Sequence, residues 1–215
     1  KKLLDDVSFT YPDKQEPVLS NVSLDIAPGK TAKAILGEAS QAAALREILG
    51  LTHKAKLDTV EPAYKLDLTD LNVPQTDLTL HPLQKVPKDT LIQWRAAYNV
   101  ETLEGSADYA VESATQDIDR YIATGHYRSL WNGNTPVAMT GFNAALPNIV
   151  QIGGVYTPPD LRANGYARSA VALHLAEAAL SGVTQSVLFA ANKAAERAYR
   201  AIGFTPNGQF AIAFY

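Results

Sequence analysis

The run Ile149-Val150-Gln151-Ile152-Gly153-Gly154-Val155-Tyr156 is apolar and β-branched enough for a buried strand, yet two glycines interrupt it near its end. Glycine inside a strand marks a bulge or a close approach of another group. Directly afterwards, Thr157-Pro158-Pro159-Asp160-Leu161 forms a rigid connection, because proline fixes φ and restrains the residue before it. Arg162-Ala163-Asn164-Gly165-Tyr166-Ala167 then opens a helix that runs to about Leu180. A strand that ends in a Gly-containing turn and starts a helix presents unpaired backbone N–H groups at the positive end of a helix dipole. Such a place suits a pyrophosphate, and Arg162 and Arg168 stand where they can add positive charge.

A second segment follows at helical spacing. After the strand Ser186 to Ala190, Asn192 is placed to cap a helix on which Ala195, Ala198, Tyr199 and Ile202 share one face. Lys193, Glu196, Arg197 and Arg200 share the other, so Tyr199 points inward. On the preceding helix His174, Glu177 and Ser181 form a polar strip, which makes His174 an expected surface histidine.

Upstream, Thr76 to His81 alternates as a short strand and Lys88 to Val100 suits a helix, with Leu91, Trp94, Arg95 and Tyr98 on one side. Ser106 is placed to cap a second helix reaching about Ala123. Tyr127 to Trp131, the turn Asn132-Gly133-Asn134 and Val137 to Phe142 read as a hairpin, and Gln209 to Tyr215 as a last strand.

The pattern R-x-x-G-x-A closing a strand, followed by N-x-x-A-x-x-x-Y-x-x-x-G-F, resembles the GNAT superfamily of N-acetyltransferases over about residues 76–215. That resemblance implies an α/β fold with a mixed, mostly antiparallel sheet and helices on both faces, preceded here by a β-rich extension. It also implies acetyl-coenzyme A as cosubstrate; no metal site is expected, because the histidines lack paired metal-ligand spacing. In the family the glycine-interrupted strand splays from its neighbour and pairs with the pantetheine arm, which puts Val155, Tyr156 and Thr157 in the cofactor site. Backbone N–H groups of Arg162, Ala163, Asn164, Gly165, Tyr166, Ala167 and Arg168 would surround the pyrophosphate, and Asn192 would bond the pantetheine. Tyr199 matches the tyrosine that protonates the departing thiolate. A phenol with an ordinary pKa of about 10 is a reasonable acid for a thiol leaving group. The base that frees the amine is not singled out; Glu101 and Glu104, after the first helix, are candidates whose alternative is a solvated loop carboxylate.

Composition narrows the partners. A formal net charge of −3 over 215 residues gives no basic field for duplex binding, so a small or weakly cationic substrate is expected rather than nucleic acid, and the resemblance implies a small amine or an exposed amino group. With no cysteine there is no thiol nucleophile or thiolate metal site, and transfer must go directly to the acceptor or through another side chain. No run approaches the ~20 apolar residues of a membrane span. Cytoplasm is the expected compartment. The sequence begins without methionine, its one methionine being Met139, so residues upstream are expected to be missing. His53, His81 and His126 stand apart without metal-ligand spacing.

The N-terminal third is of another kind. Val7 to Pro12, Val18 to Ile26 and Pro28-Gly29-Lys30 resemble the opening strands of an ABC-transporter ATPase domain, where the aromatic matching Tyr11 stacks on adenine. A loop of form G-x-x-x-x-G-K-[ST] should follow. Gly37-Glu38-Ala39-Ser40-Gln41-Ala42-Ala43-Ala44 stands there instead, with the second glycine, the lysine and the hydroxyl residue all replaced by alanine, so ATP hydrolysis is excluded. Glu38 to Leu49 turns helical and Gly50 stops it. Residues 57–71 read as a mixed connector, and the division between an N-terminal extension, 1–75, and an acetyltransferase domain, 76–215, is expected near Val73-Pro74-Gln75. An alternative to catalysis is a non-catalytic module of the same fold that binds acyl-coenzyme A or a protein partner.

Overall fold

A computed structural model of the chain describes residues 2–9, 19–25, 33–103, 107–190 and 192–215. Tyr11, Pro28, Gly29 and Ser106, singled out in the sequence, lie outside them. The chain packs as two compact units, residues 1–60 with 209–215 and residues 61–208.

In the first unit, β1 (Lys2–Phe9) and β2 (Leu19–Asp25) pair antiparallel, with Lys2 opposite Asp25 and Phe9 opposite Leu19. Further on, β3 (Ala34–Glu38) leads without a break into α1 (Ala39–Ile48). Ile35 and Ala42 are buried together with Ala211, and Leu45, Leu49, Leu51 and Tyr215 pack on them. Arg46 donates to both oxygens of Asp58, at 2.5 and 2.8 Å, and to the Thr52 carbonyl. The segment that resembles an ATPase start therefore does form a strand running into a helix. Its helix start is already filled: the Glu38 carboxylate accepts the amides of Ser40 and Gln41, each at 3.0 Å, and the Ser40 hydroxyl. Burial works to raise the Glu38 pKa, but these hydrogen bonds outweigh it and hold it low. An acid in this position takes the place an anionic ligand would need.

The second unit begins within β4 (Leu57–Asp67), the stretch expected as a connector. Its alternating half-buried pattern, ending in Ala63, Tyr64 and Leu66 under the core, makes it a strand despite Pro62 and its charges, and Ala63 to Asp67 pair antiparallel with β9. Around it follow β5 (Thr79–Pro82), α2 (Lys88–Leu103), α3 (Ala107–Thr124), β6 (Tyr127–Asn132), β7 (Thr135–Ala145), β8 (Ile149–Tyr156), α4 (Tyr166–Leu180), β9 (Gln185–Phe189) and α5 (Lys193–Arg200). The last strand, β10 (Thr205–Phe214), belongs to this unit through Gly208 and otherwise to the first, where Phe210 to Phe214 pair with β3. The six strands of the second unit lie in the order β4-β9-β8-β7-β6-β5; only β8 and β9 run parallel. The mixed, mostly antiparallel sheet expected from the sequence is thus present.

Both faces are covered. On one, Val171, Ala172, Leu175, Tyr199 and Ile202 of the α4 and α5 region pack on Phe142, Val150, Ile152 and Leu188. On the other, Leu91, Ile118 and Tyr121 of α2 and α3 meet Tyr127, Trp131, Met139 and Tyr156. Arg95 on α2 is 9 % exposed and is tied to Asp117 on α3 at 2.7 Å, which satisfies a charge the packing would otherwise leave bare.

His174 corrects the expectation of a surface residue. It is 2 % exposed and lies parallel to the Phe142 ring of β7, with centroids 3.9 Å apart. The polar strip failed as a guide because α4 is buried on more than one side, from Ser169 to Ala172 as well as at Leu175 and Ala178. Burial, with the neighbouring Arg128 charge, pushes the His174 pKa down to about 3, and its Nδ1 has no hydrogen-bond partner among the described residues. His174 is neutral in the folded chain throughout the range in which a free histidine takes up a proton. Below about pH 6.5 the unfolded chain binds a proton that the folded chain refuses until about pH 3, so stability falls by about 1.4 kcal/mol per pH unit in that window. Replacing His174 with Phe should remove this loss and reduce the drop in Tm between pH 7 and pH 4.5 by about 5–10 °C. An equal drop in both proteins, measured by calorimetry, would show that His174 titrates freely in the fold.

Candidate cofactor and catalytic site

The site begins where two strands stop pairing. Ile149, Val150 and Gln151 of β8 face Gln185, Ser186 and Val187 of β9, and the parallel pairing ends there. Beyond it Ile152 to Tyr156 on one side and Leu188 and Phe189 on the other line a cavity of about 760 Å³. This is the splay that the family resemblance implies for the glycine-interrupted strand.

Glycine 154 makes the geometry possible. Between Gly141 opposite Gly153 and Met139 opposite Tyr156, β8 carries one residue more than β7, a bulge, and Gly154 sits in it with φ of +60°. A compensating extra residue, Asn143, lies in β7; its side chain fills the space over Gly153, and its Oδ1 accepts the Tyr127 hydroxyl at 3.1 Å. The bulge also breaks the alternation of β8. Val150 and Ile152 face α4 and α5, and so does Val155, whereas Tyr156 is turned to the α2 side.

At the turn, Ala163 (φ 65°) and Gly165 (φ 76°) are left-handed, and α4 starts at Tyr166 with no side chain capping it. The helix thus begins at Tyr166 rather than at Arg162, after a loop in which Ala163 and Gly165 are left-handed. Gly165, Tyr166, Ala167 and Arg168 line the cavity, so the unpaired amides of the first turn open onto it. Among the described residues, Arg168 Nε and Thr157 Oγ1 there are buried without a hydrogen-bond partner. An orphaned guanidinium nitrogen beside free helix amides fits a phosphate.

Tyr199 lies in the wall as expected, 8 % exposed, with Ala195 and Ala198 beside it. Burial first, then the neighbouring Tyr98, pushes its pKa well above the ordinary phenol value, so it is a protonated hydroxyl at neutral pH. Asn192 caps α5 as its sequence position suggested, its Oδ1 accepting the Ala195 amide at 2.9 Å.

Of the residues singled out in the sequence, Val155, Tyr156, Thr157, Arg162, Ala163, Gly165, Tyr166, Ala167, Arg168, Asn192 and Tyr199 all line this one cavity. Asn164 does not; its amide folds back on the carbonyls of Leu161 and Arg162 and shapes the turn instead. The Arg162 guanidinium points toward α2, where Nη2 donates to Glu101 at 2.7 and 3.0 Å. Glu101 itself lines the cavity, while Glu104 lies outside the described residues. Tyr98 is a lining residue that the sequence reading treated only as part of an apolar helix face; its helical spacing from Glu101 was the available signal. Among the described residues no group of three His, Cys, Asp or Glu side chains is placed to hold a metal, and no helix is long and apolar enough to cross a membrane.

An alanine at position 154 would have to hold a left-handed φ, and its Cβ would lie 2.8 Å from the Tyr127 ring. Gly154→Ala should therefore cost about 1–3 kcal/mol and weaken ligand binding in the cavity. Denaturant unfolding checks this, and an unchanged midpoint would show that the bulge tolerates a side chain.

Comparison with known proteins agrees with the geometry. Solved structures with the same fold include a GCN5-related N-acetyltransferase from Kribbella flavida, with TM-score 0.55 and 18 % identity over 84 % of this chain and 67 % of that one. An acetyltransferase from the GNAT family of Colwellia psychrerythraea gives TM-score 0.52 and 14 % identity over 85 % of this chain and 65 % of that one. A GCN5-related N-acetyltransferase from Sphaerobacter thermophilus gives TM-score 0.50 and 17 % identity over 84 % of this chain and 58 % of that one. The chain spans about two thirds or less of the length of these structures. No curated protein matches it. Residues 89–204, more than half of the chain, match the family model described as Acetyltransferase (GNAT) family, and the chain belongs to that family.

Proposed function

We propose that the protein moves an acetyl group from acetyl-coenzyme A to a primary amine by direct attack. The observation that carries this reading is the opening between β8 and β9: the edge of β8 beyond Gln151, an uncapped helix start and a buried phenol line one cavity of about 760 Å³. Its volume is in the range of small-molecule sites. Acetyl-coenzyme A, when bound, supplies an acetyl group activated as a thioester.

The residues divide the work. Amides of Gly165 to Arg168 with the Arg168 guanidinium hold the pyrophosphate, and Asn192 and the free edge of β8 hold the pantetheine arm. Backbone N–H groups of the same edge stabilise the negative charge that develops on the carbonyl oxygen as the amine nitrogen bonds to the acetyl carbon. When the carbon–sulfur bond breaks, Tyr199, a protonated hydroxyl in the cavity wall, gives its proton to the sulfur. The amine must first lose a proton from its ammonium form. Glu101 is the one carboxylate among the described lining residues, and that proton passes to it or to water.

Calorimetric titration should show acetyl-coenzyme A binding, and thiol release with a panel of primary amines should show turnover. Tyr199→Phe should lower kcat about 100-fold with the affinity for acetyl-coenzyme A within about twofold. Binding without thiol release would favour the non-catalytic alternative, and release indifferent to Tyr199→Phe would remove the phenol from its assigned role.

A further inference from the structure

Arg162 is not where a phosphate-binding arginine would wait. Its guanidinium donates to both oxygens of Glu101, its Nε donates to the Thr157 carbonyl at 3.0 Å, and it stands 5.7 Å from the Tyr156 ring centroid. Tyr98, on the turn of α2 before Glu101, lines the same cavity, and Trp94 backs Tyr156 at 6.3 Å. The chain's own cation thus occupies a place made of one carboxylate and aromatic rings, the combination that binds organic cations.

We propose that Glu101, with Tyr98 and Tyr156, is the seat of the acceptor's ammonium group, and that Arg162 fills it as a stand-in until a phosphate-bearing ligand draws it away. This rests on the acetyl-transfer reading above. The exchange is feasible because the ion pair is weak: the Arg162 and Glu101 side chains are 45 % and 42 % exposed, and pairs of that kind hold little free energy. Residue 162 belongs to the loop that feeds α4 and lines the cavity that a pyrophosphate would enter. A polyphosphate offers the guanidinium a more highly charged partner than one carboxylate. Once Arg162 leaves, Glu101 is an uncompensated anion beside aromatic faces. The acceptor it selects is a primary ammonium with an apolar or aromatic substituent, and amines carrying a carboxylate are repelled.

The test uses the full chain and Glu101→Gln, whose exposed site leaves Tm within about 2 °C of the parent protein. Coenzyme A, titrated by calorimetry, should bind about two- to fivefold more tightly to the variant, because it no longer competes with Glu101 for Arg162. The KM for 2-phenylethylamine should rise about tenfold or more, accompanied by a smaller fall in kcat from loss of the proton acceptor, and Glu101→Asp should recover part of the KM loss. The parent protein should also prefer 2-phenylethylamine to glycine. If the parent binds coenzyme A and releases thiol while Glu101→Gln leaves KM and coenzyme A affinity unchanged, the seat is overturned and acetyl transfer stands. A loss confined to kcat, or a preference for glycine, overturns it too. Failure of the parent to bind coenzyme A overturns both readings together.

Discussion

The parting of β8 from β9 after Gln151 and Val187 is the constraint on which the rest of the site depends. Backbone N–H and C=O groups in the middle of a sheet are expected to be paired, because leaving them bare in a buried place costs free energy. Here that backbone faces a cavity instead, so its groups are open to solvent or to an extended ligand that lies along the strand. The bulge at Gly154 gives the same strand end a second use. By shifting the alternation by one residue it sends Val155 toward α4 and α5 and Tyr156 toward α2, so neighbouring residues contribute to both sides of the opening. Only a residue without Cβ holds that conformation next to the Tyr127 ring.

Helix starts show how the chain assigns an anion to one place rather than another. Every helix start leaves amides without partners inside the helix, but α1 spends two of them on Glu38 and α5 spends one on Asn192. The start of α4 follows Gly165 and has no side-chain cap. The same physical property, a positive helix end, is neutralised from within in the segment that resembles an ATPase and left open where the cavity is. This explains in structural terms why the replaced loop over residues 37–44 does not compete for a phosphate.

Much of the site was legible in the sequence because it is local. A strand interrupted by Gly153 and Gly154, a proline-stiffened connection and a turn with Gly165 fix their own backbone, and Tyr199 follows from the stripe of α5. What escaped was decided by partners distant along the chain. His174 looked exposed because periodicity describes one stripe of a helix, whereas α4 is covered on several sides and stacks His174 on Phe142, a residue of β7. Residues 57–67 looked like a connector because Pro62 and charges dilute their alternation, yet pairing of residues 63–67 with β9 makes them a strand. Glu101 was one of two candidates on equal footing; its ion pair with Arg162, across 61 residues of sequence, is what ties it to the cavity.

That ion pair also sets the charge state of the cavity. Its described cationic side chains are Arg162, Arg168 and Lys193, and two of them are already matched, Arg162 by Glu101 and Lys193 by Glu196 at 2.9 Å. Arg168, with its Nε buried and unpartnered next to the open helix start, is the cation left for an incoming anion. A ligand carrying several negative charges meets one ready cation and the dipole end first, and only then can it recruit Arg162 at the expense of a surface-weak pair. Arg162 therefore links the two halves of the site through charge alone. In the proposed exchange, the acceptor side is neutral while Arg162 rests on Glu101; a turn to the phosphate side would add positive charge beside the anion and uncover a negative one for a cationic amine.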